Sequence, residues 1–276
     1  MIKEVYAQCN FEYLIKLYET YVKIGDTKDI LNIAGRILQC EDEVVDKTLL
    51  IEIFDKIYEI FKPIRKNCRD IMEIEGLEKE REHKKRVKYI KEYKSKYFSD
   101  LSQVLAKFTN DISKGVIINH TRNKEIEAFL QFCYADYKRY QCEVTLDQET
   151  KEELLKETDK AYNDYFELLK EGNVCLVSPA YLAGNYHYSI FLFEVKEDKV
   201  GAIRYLKNER FKAIDLLDTV FKNFTESYEL ISTITETLTN WVILTNYKDE
   251  EEDSIYFFNI FGIIFFYIKF PFIKYF

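Results

Sequence analysis

Turn chemistry is scarce in this chain, with 8 glycines and 3 prolines across 276 residues. A sandwich, a barrel or a doubly wound sheet of that length needs far more tight turns, whereas long helices with short joints need few. An all-α fold is therefore expected. Catalytic constellations are lacking too. There is no Gly-rich phosphate loop, no His-Glu-x-x-His, no Gly-x-Ser-x-Gly and no Cys-x-x-Cys, and the three histidines (His83, His120, His187) stand far apart. The expectation is a protein that is not an enzyme and uses neither metal nor cofactor. Excess positive charge is missing as well. A net charge of -8 argues against extended contact with nucleic acid or an anionic membrane, and the Lys/Arg residues of Lys79 to Lys96 alternate with Glu and Tyr as on a solvated helix face. The six cysteines show no paired metal spacing, and Met1-Ile2-Lys3-Glu4 lacks the apolar core of a signal peptide. They read as reduced packing residues of a cytoplasmic protein.

What the chain does have is aromatic bulk, 22 Tyr and 21 Phe, and apolar residues at helical spacing. Leu50, Ile53, Phe54, Ile57, Phe61, Ile64, Cys68 and Ile71 recur three or four apart and lay one stripe along a long helix. Ile126, Phe129, Leu130, Cys133, Tyr137 and Tyr140 do the same, as do Leu230, Ile231, Ile234, Leu238, Trp241 and Val242. Boundaries are expected at Gly25-Asp26, at Gly76, at Thr145 with Gln148 as a capping box, at Gly172, and at Ser178-Pro179 as N-cap and first helical residue. They divide residues 1–245 into about nine helices of one continuous domain. Residues 246–276 differ: an acidic run leads into an apolar, aromatic stretch from Ile255 to Ile268, shorter than the ~20 residues a membrane-spanning helix needs. The readings for it are a helix folded back on the body, a poorly ordered extension, a cover over a groove, or a membrane anchor.

The sharpest segment is Asp136-Tyr137-Lys138-Arg139-Tyr140. An Arg followed by a Tyr, late on an amphipathic helix, can offer a guanidinium fork and a phenol to one phosphate, although alone the pair fits ordinary packing as well. With Phe129 upstream and Glu143 downstream, this stretch resembles the Asp-Tyr-Tyr-Arg-Tyr segment of the 14-3-3 proteins. The likeness continues in order through Ala161-Tyr162, Phe166-Glu167, Pro179 to Ser189, Phe191, Glu194, Glu226-Ser227-Tyr228 and Trp241. The resemblance implies a single domain of nine antiparallel helices forming a concave groove for phosphorylated peptides.

In that family a Lys and an Arg on the third helix and the Arg-Tyr pair on the fifth hold the phosphate. The resemblance assigns the pair to Arg139 and Tyr140 and the third-helix Arg position to Lys62, and it puts Asp55 where the family has Lys. Pro63, next to Lys62, is expected to kink the helix, and Arg65 or Lys66 is the alternative cation. The two Asn residues that secure a peptide backbone become His187 and Thr237, while Glu194 and Trp241 are retained. The implied function is a phosphoserine- or phosphothreonine-dependent adaptor with weakened recognition. Its partners are phosphorylated proteins and a second copy of the chain, although Tyr89 and Tyr93 replace the family's charged dimer contacts. The alternative is a divergent helical scaffold that has lost phosphate binding, held at a membrane by its tail.

Overall fold

A computed structural model describes residues 11–40, 46–120, 123–217 and 224–247. Among them are nine helices and no strand: α1 (Phe11–Ile24), α2 (Thr27–Leu38), α3 (Lys47–Glu80), α4 (Lys84–Asn119), α5 (Lys124–Val144), α6 (Gln148–Glu171), α7 (Pro179–Ile190), α8 (Lys199–Leu217) and α9 (Phe224–Thr245). Two compact units divide after Asn173, with α1 to α6 in the first and α7 to α9 in the second. The aromatic stretch from Ile255 to Ile268 lies outside the described residues. No helix among the described residues is long and apolar enough to cross a membrane.

The stripes read from the sequence are the core of the first unit. Leu50, Ile53, Phe54, Ile57, Phe61 and Cys68 of α3 are buried, as are Ile126, Phe129, Leu130, Cys133, Tyr137 and Tyr140 of α5. Helix α5 packs against both α4 and α6, and it buries residues on nearly every side. Tyr137 anchors the junction of three helices, meeting Phe61 of α3 edge-on at 5.5 Å and Phe108 of α4 at 5.1 Å. Such pairs contribute about 0.5–1.5 kcal/mol each beyond the area they bury.

Side chains at the helix starts satisfy the amides that a helix leaves open. The carboxylate of Asp26 accepts from the Asp29 amide, that of Asp46 from Thr48 and Leu49, and the Asn123 side chain from Glu125 and Ile126. Ser178 caps α7 ahead of Pro179, and Gly172 closes α6, as the sequence indicates. Two expected boundaries fall elsewhere. Gly76 lies inside α3, which continues to Glu80. There Glu75 and Glu78 are held by basic groups of α4 and its approach, Lys94 for one and His83 and Arg86 for the other, so the helix gains partners that outweigh the cost of one glycine. The cap of α6 is Asp147, whose carboxylate accepts from the Thr150 amide. Thr145 instead ends α5, and Gln148 is the first residue of α6. Gly35 of α2 is a close approach: a Cβ there would come within 2.4 Å of the Asp111 carboxylate of α4.

In the second unit α7 does not end as an ordinary helix. Phe191–Val195 wind as one π-helical turn before α8 begins. Helix α9 is tied back to the start of α7 by the Ser227 hydroxyl, which donates to the Val177 carbonyl at 2.6 Å. Its stripe is buried at Leu230, Ile231, Ile234 and Trp241, while Leu238 is half-buried and Val242 exposed.

Candidate functional site

Asp136, Arg139 and Glu143 succeed one another at i, i+3 and i+7 along α5, so they share a face. Arg139 is only 2% exposed, which would be prohibitive for an isolated guanidinium. Two carboxylates compensate it. Its Nε and Nη2 donate to Asp136 Oδ1 at 3.0 and 2.7 Å, and Nη1 donates to Glu143 Oε1 at 3.2 Å. Tyr162 of α6 adds a third support, its hydroxyl donating to the same Asp136 oxygen at 3.1 Å. Burial works against the charged guanidinium, but the carboxylate of Asp136 foremost overcomes it and holds the Arg139 pKa well above its ordinary value.

Helix α3 supplies the second cation. Asp55, Tyr58, Lys62 and Arg65 lie three or four apart on one stripe of that helix. Arg65 reaches α5 and grips Glu143 with a fork, Nε to Oε2 at 3.1 Å and Nη2 to Oε1 at 2.8 Å. Its guanidinium lies over the Tyr140 ring, 3.9 Å from the centroid, while that of Arg139 is 4.7 Å from the same centroid. One phenol ring is thus flanked by two guanidiniums, and burial drives its own pKa upward.

Of the residues assigned to the phosphate by resemblance, the structure brings Arg139 and Tyr140 together and leaves Lys62 at the rim. Lys62 has a side chain 43% exposed and a loose pair with Glu59 at 3.6 Å. Its charge still reaches the neighbourhood, since the phenol of Tyr58, raised in pKa by burial, is pulled the other way by Arg65, Lys62 and Arg139. Of Lys62 and Arg65, the one that reaches α5 is Arg65. Pro63 sits inside a helix that runs on through it. Asp55 is half-buried, and burial followed by the nearby Glu59 raises its carboxyl pKa. The formal charges of Arg65 and Arg139 are cancelled by those of Asp136 and Glu143.

The residues assigned to a peptide channel lie in the second unit. His187 is buried with its ring edge-on to Tyr186 at 5.5 Å, and the Tyr186 hydroxyl lies 3.3 Å from Thr237 Oγ1. One turn beyond Thr237 on α9, Trp241 stacks flat on Phe193 with centroids 4.1 Å apart. Phe193 belongs to the π-helical turn, as does the exposed Glu194. The structure thus joins α7 to α9 through Tyr186 and Thr237, and the π-helical turn to α9 through Phe193 and Trp241. Phe193 was not anticipated as part of the site, and its only sequence signal is a place next to Glu194. No group of His, Cys, Asp and Glu among the described residues could hold a metal ion.

The chain belongs to the 14-3-3 family, whose model, described as 14-3-3 protein, matches residues 16–242. It is similar to 14-3-3 protein 2 of Entamoeba histolytica, 27% identical over 179 residues that cover 64% of this chain and 73% of the relative. It is also similar to 14-3-3 protein 2 of Solanum lycopersicum, 25% identical over 244 residues covering 88% and 93%. For 14-3-3 protein theta of Mus musculus the figures are 26% over 158 residues, covering 57% and 63%. The likeness is spread over most of the chain at low identity.

Proposed function

We propose that this protein is a non-catalytic adaptor that binds partner proteins through a phosphorylated serine or threonine, more weakly than its family norm. The observation that supports this reading is the pair of guanidiniums, Arg139 and Arg65, drawn from two helices around the ring of Tyr140. A phosphate of charge near -2 is recognised by guanidinium forks held rigidly in a place of low water content. Here burial and the Asp136 contact fix one fork before any ligand arrives. His187, Thr237, Glu194 and Trp241 are the residues proposed to meet the rest of the peptide, and a second copy of the chain is the proposed assembly partner.

The cancellation of charge within the cluster and the carboxylate of Asp55 on the same stripe of α3 favour weak binding. They also sustain the second reading, a scaffold that keeps the fold without the phosphate function. Titration of the full chain with pooled phosphoserine peptides of degenerate sequence, beside their unphosphorylated twins, separates the two. A preference of tenfold or more for phosphate is expected, about 1.4 kcal/mol. Equal binding of both pools would leave only the scaffold.

A further inference from the structure

We infer that Glu143 occupies the anion seat in the ligand-free protein, and that Arg65, not Lys62, is the α3 cation that a phosphate takes over from it. This rests on the adaptor reading above. The geometry is specific: Oε1 of Glu143 lies 2.8 Å from Arg65 Nη2 and 3.2 Å from Arg139 Nη1, so a single oxygen bridges guanidiniums from two helices. An oxygen of a phosphate would have to take that same place, and the two anions compete for it.

The two carboxylates of the cluster are not equally replaceable. Asp136 is buried, takes both Nε and Nη2 of Arg139, and also accepts from Tyr162, so its removal would break three hydrogen bonds at once. Glu143 is the more accessible, with a side chain 19% exposed and a position one residue from the end of α5, where rotation outward disturbs no further turn of helix. Lys62 lacks a comparable hold on α5, since its pair is with Glu59 of its own helix.

Exchange of Glu143 for phosphate changes the balance of charge. While Glu143 is seated the cluster is formally neutral, and once it leaves, Arg65, Arg139 and Asp136 sum to +1. A phosphate dianion brings twice the charge of a carboxylate and three acceptor oxygens, so it can displace Glu143, whereas a peptide carboxylate offers nothing that Glu143 does not already supply. The seat therefore discriminates between phosphoserine and its acidic imitations, and the resident glutamate sets the threshold.

The test titrates the full chain and the variants Glu143→Gln, Arg65→Ala, Arg65→Lys and Lys62→Ala with pooled phosphoserine peptides and with twins carrying Ser or Glu at that position. Thermal unfolding by circular dichroism confirms that each variant is folded. Glu143→Gln is expected to tighten phosphopeptide binding about tenfold and to admit the Glu peptides. Arg65→Ala is expected to weaken phosphopeptide binding about tenfold, Arg65→Lys to fall between, and Lys62→Ala to change it less than about twofold. If the wild-type chain prefers phosphate but Glu143→Gln, folded, binds no tighter, or if Lys62→Ala costs more than Arg65→Ala, the inference is overturned while the adaptor reading stands. If neither the wild type nor Glu143→Gln distinguishes phosphate, both are overturned.

Discussion

Removing the guanidinium of Arg139 should destabilise the fold sharply, because it leaves a buried carboxylate without its cation. In Arg139→Met the apolar stem is kept and the charge is lost, so Asp136, buried at 4% exposure, loses its paired guanidinium and keeps the Tyr162 hydroxyl as a donor. Stranding one partner of a buried ion pair costs about 3–5 kcal/mol, a large fraction of the 5–15 kcal/mol typical of a folded domain. Glu143 adds little to that cost because Arg65 still holds both of its oxygens. If the loss comes from the stranded carboxylate and not from packing, removing the carboxylate too must restore it. Asp136→Leu on the Arg139→Met background is therefore expected to recover all but about 2 kcal/mol, the remainder reflecting the loss of the Tyr162 hydrogen bond to Asp136. Urea unfolding followed by far-ultraviolet circular dichroism measures both. A single-variant cost below about 1 kcal/mol, or a double variant whose cost is the sum of its parts, would refute this account of the α5 cluster. The same figures mean that loss of binding in an Arg139 variant is uninformative until its folded fraction is known.

Two further outcomes follow from α4. Burial raises the carboxyl pKa of Asp111 despite Lys107, Lys114 and a bond from Gln39, so its ionised form is disfavoured in the folded state. A raised acid pKa favours folding below the unfolded value and loses that advantage as pH rises through the folded one, so Asp111→Asn should gain stability over wild type at pH 7. The gap should narrow as pH falls toward 4, read as the difference in thermal midpoint, and a gap that widens on acidification would show that the lysines dominate. Gly35→Ala should destabilise by about 1–3 kcal/mol, because the new methyl meets the Asp111 carboxylate where Gln39 holds it, whereas the pair Gly35→Ala with Asp111→Ala should recover at least part of that loss. Equal urea midpoints for wild type and Gly35→Ala would mean that Asp111 moves aside freely.

Much of this fold was legible because its signal is local. A stripe of apolar residues at three and four survives in any one sequence, which is why the buried faces of α3 and α5 were found at Phe54, Phe61, Phe129 and Tyr137. Ser178-Pro179 was legible for the same reason, a cap and a fixed φ standing side by side. Gly76 misled because its propensity is local while its compensation, the grip of Lys94 on Glu75, comes from another helix. Thr145 does not cap α6 because its hydroxyl donates to the Gln141 carbonyl of α5, and the Asp147 carboxylate two residues on takes the Thr150 amide. The candidate site was half legible. Arg139 and Tyr140 are adjacent in the chain, so their pattern could be seen. The choice between Lys62 and Arg65 could not, because both lie on one stripe of α3 and only the partner 78 residues on, Glu143, separates them. A fork that takes both oxygens of a distant carboxylate leaves no trace in spacing.

The wide turn at Phe191–Val195 holds one residue more than an α-helical path of the same length would. Each residue of an α-helix advances the side chains by about 100°. Loss of one residue from this stretch would therefore close it to an ordinary α-helical turn, still hydrogen-bonded, with the side chains of the turn itself redistributed around the axis. The ring of Phe193 would leave the face of Trp241, and Glu194 would exchange its outlook with a neighbour. A length change too small to harm the scaffold would thus rearrange the side chains that Phe191–Val195 present.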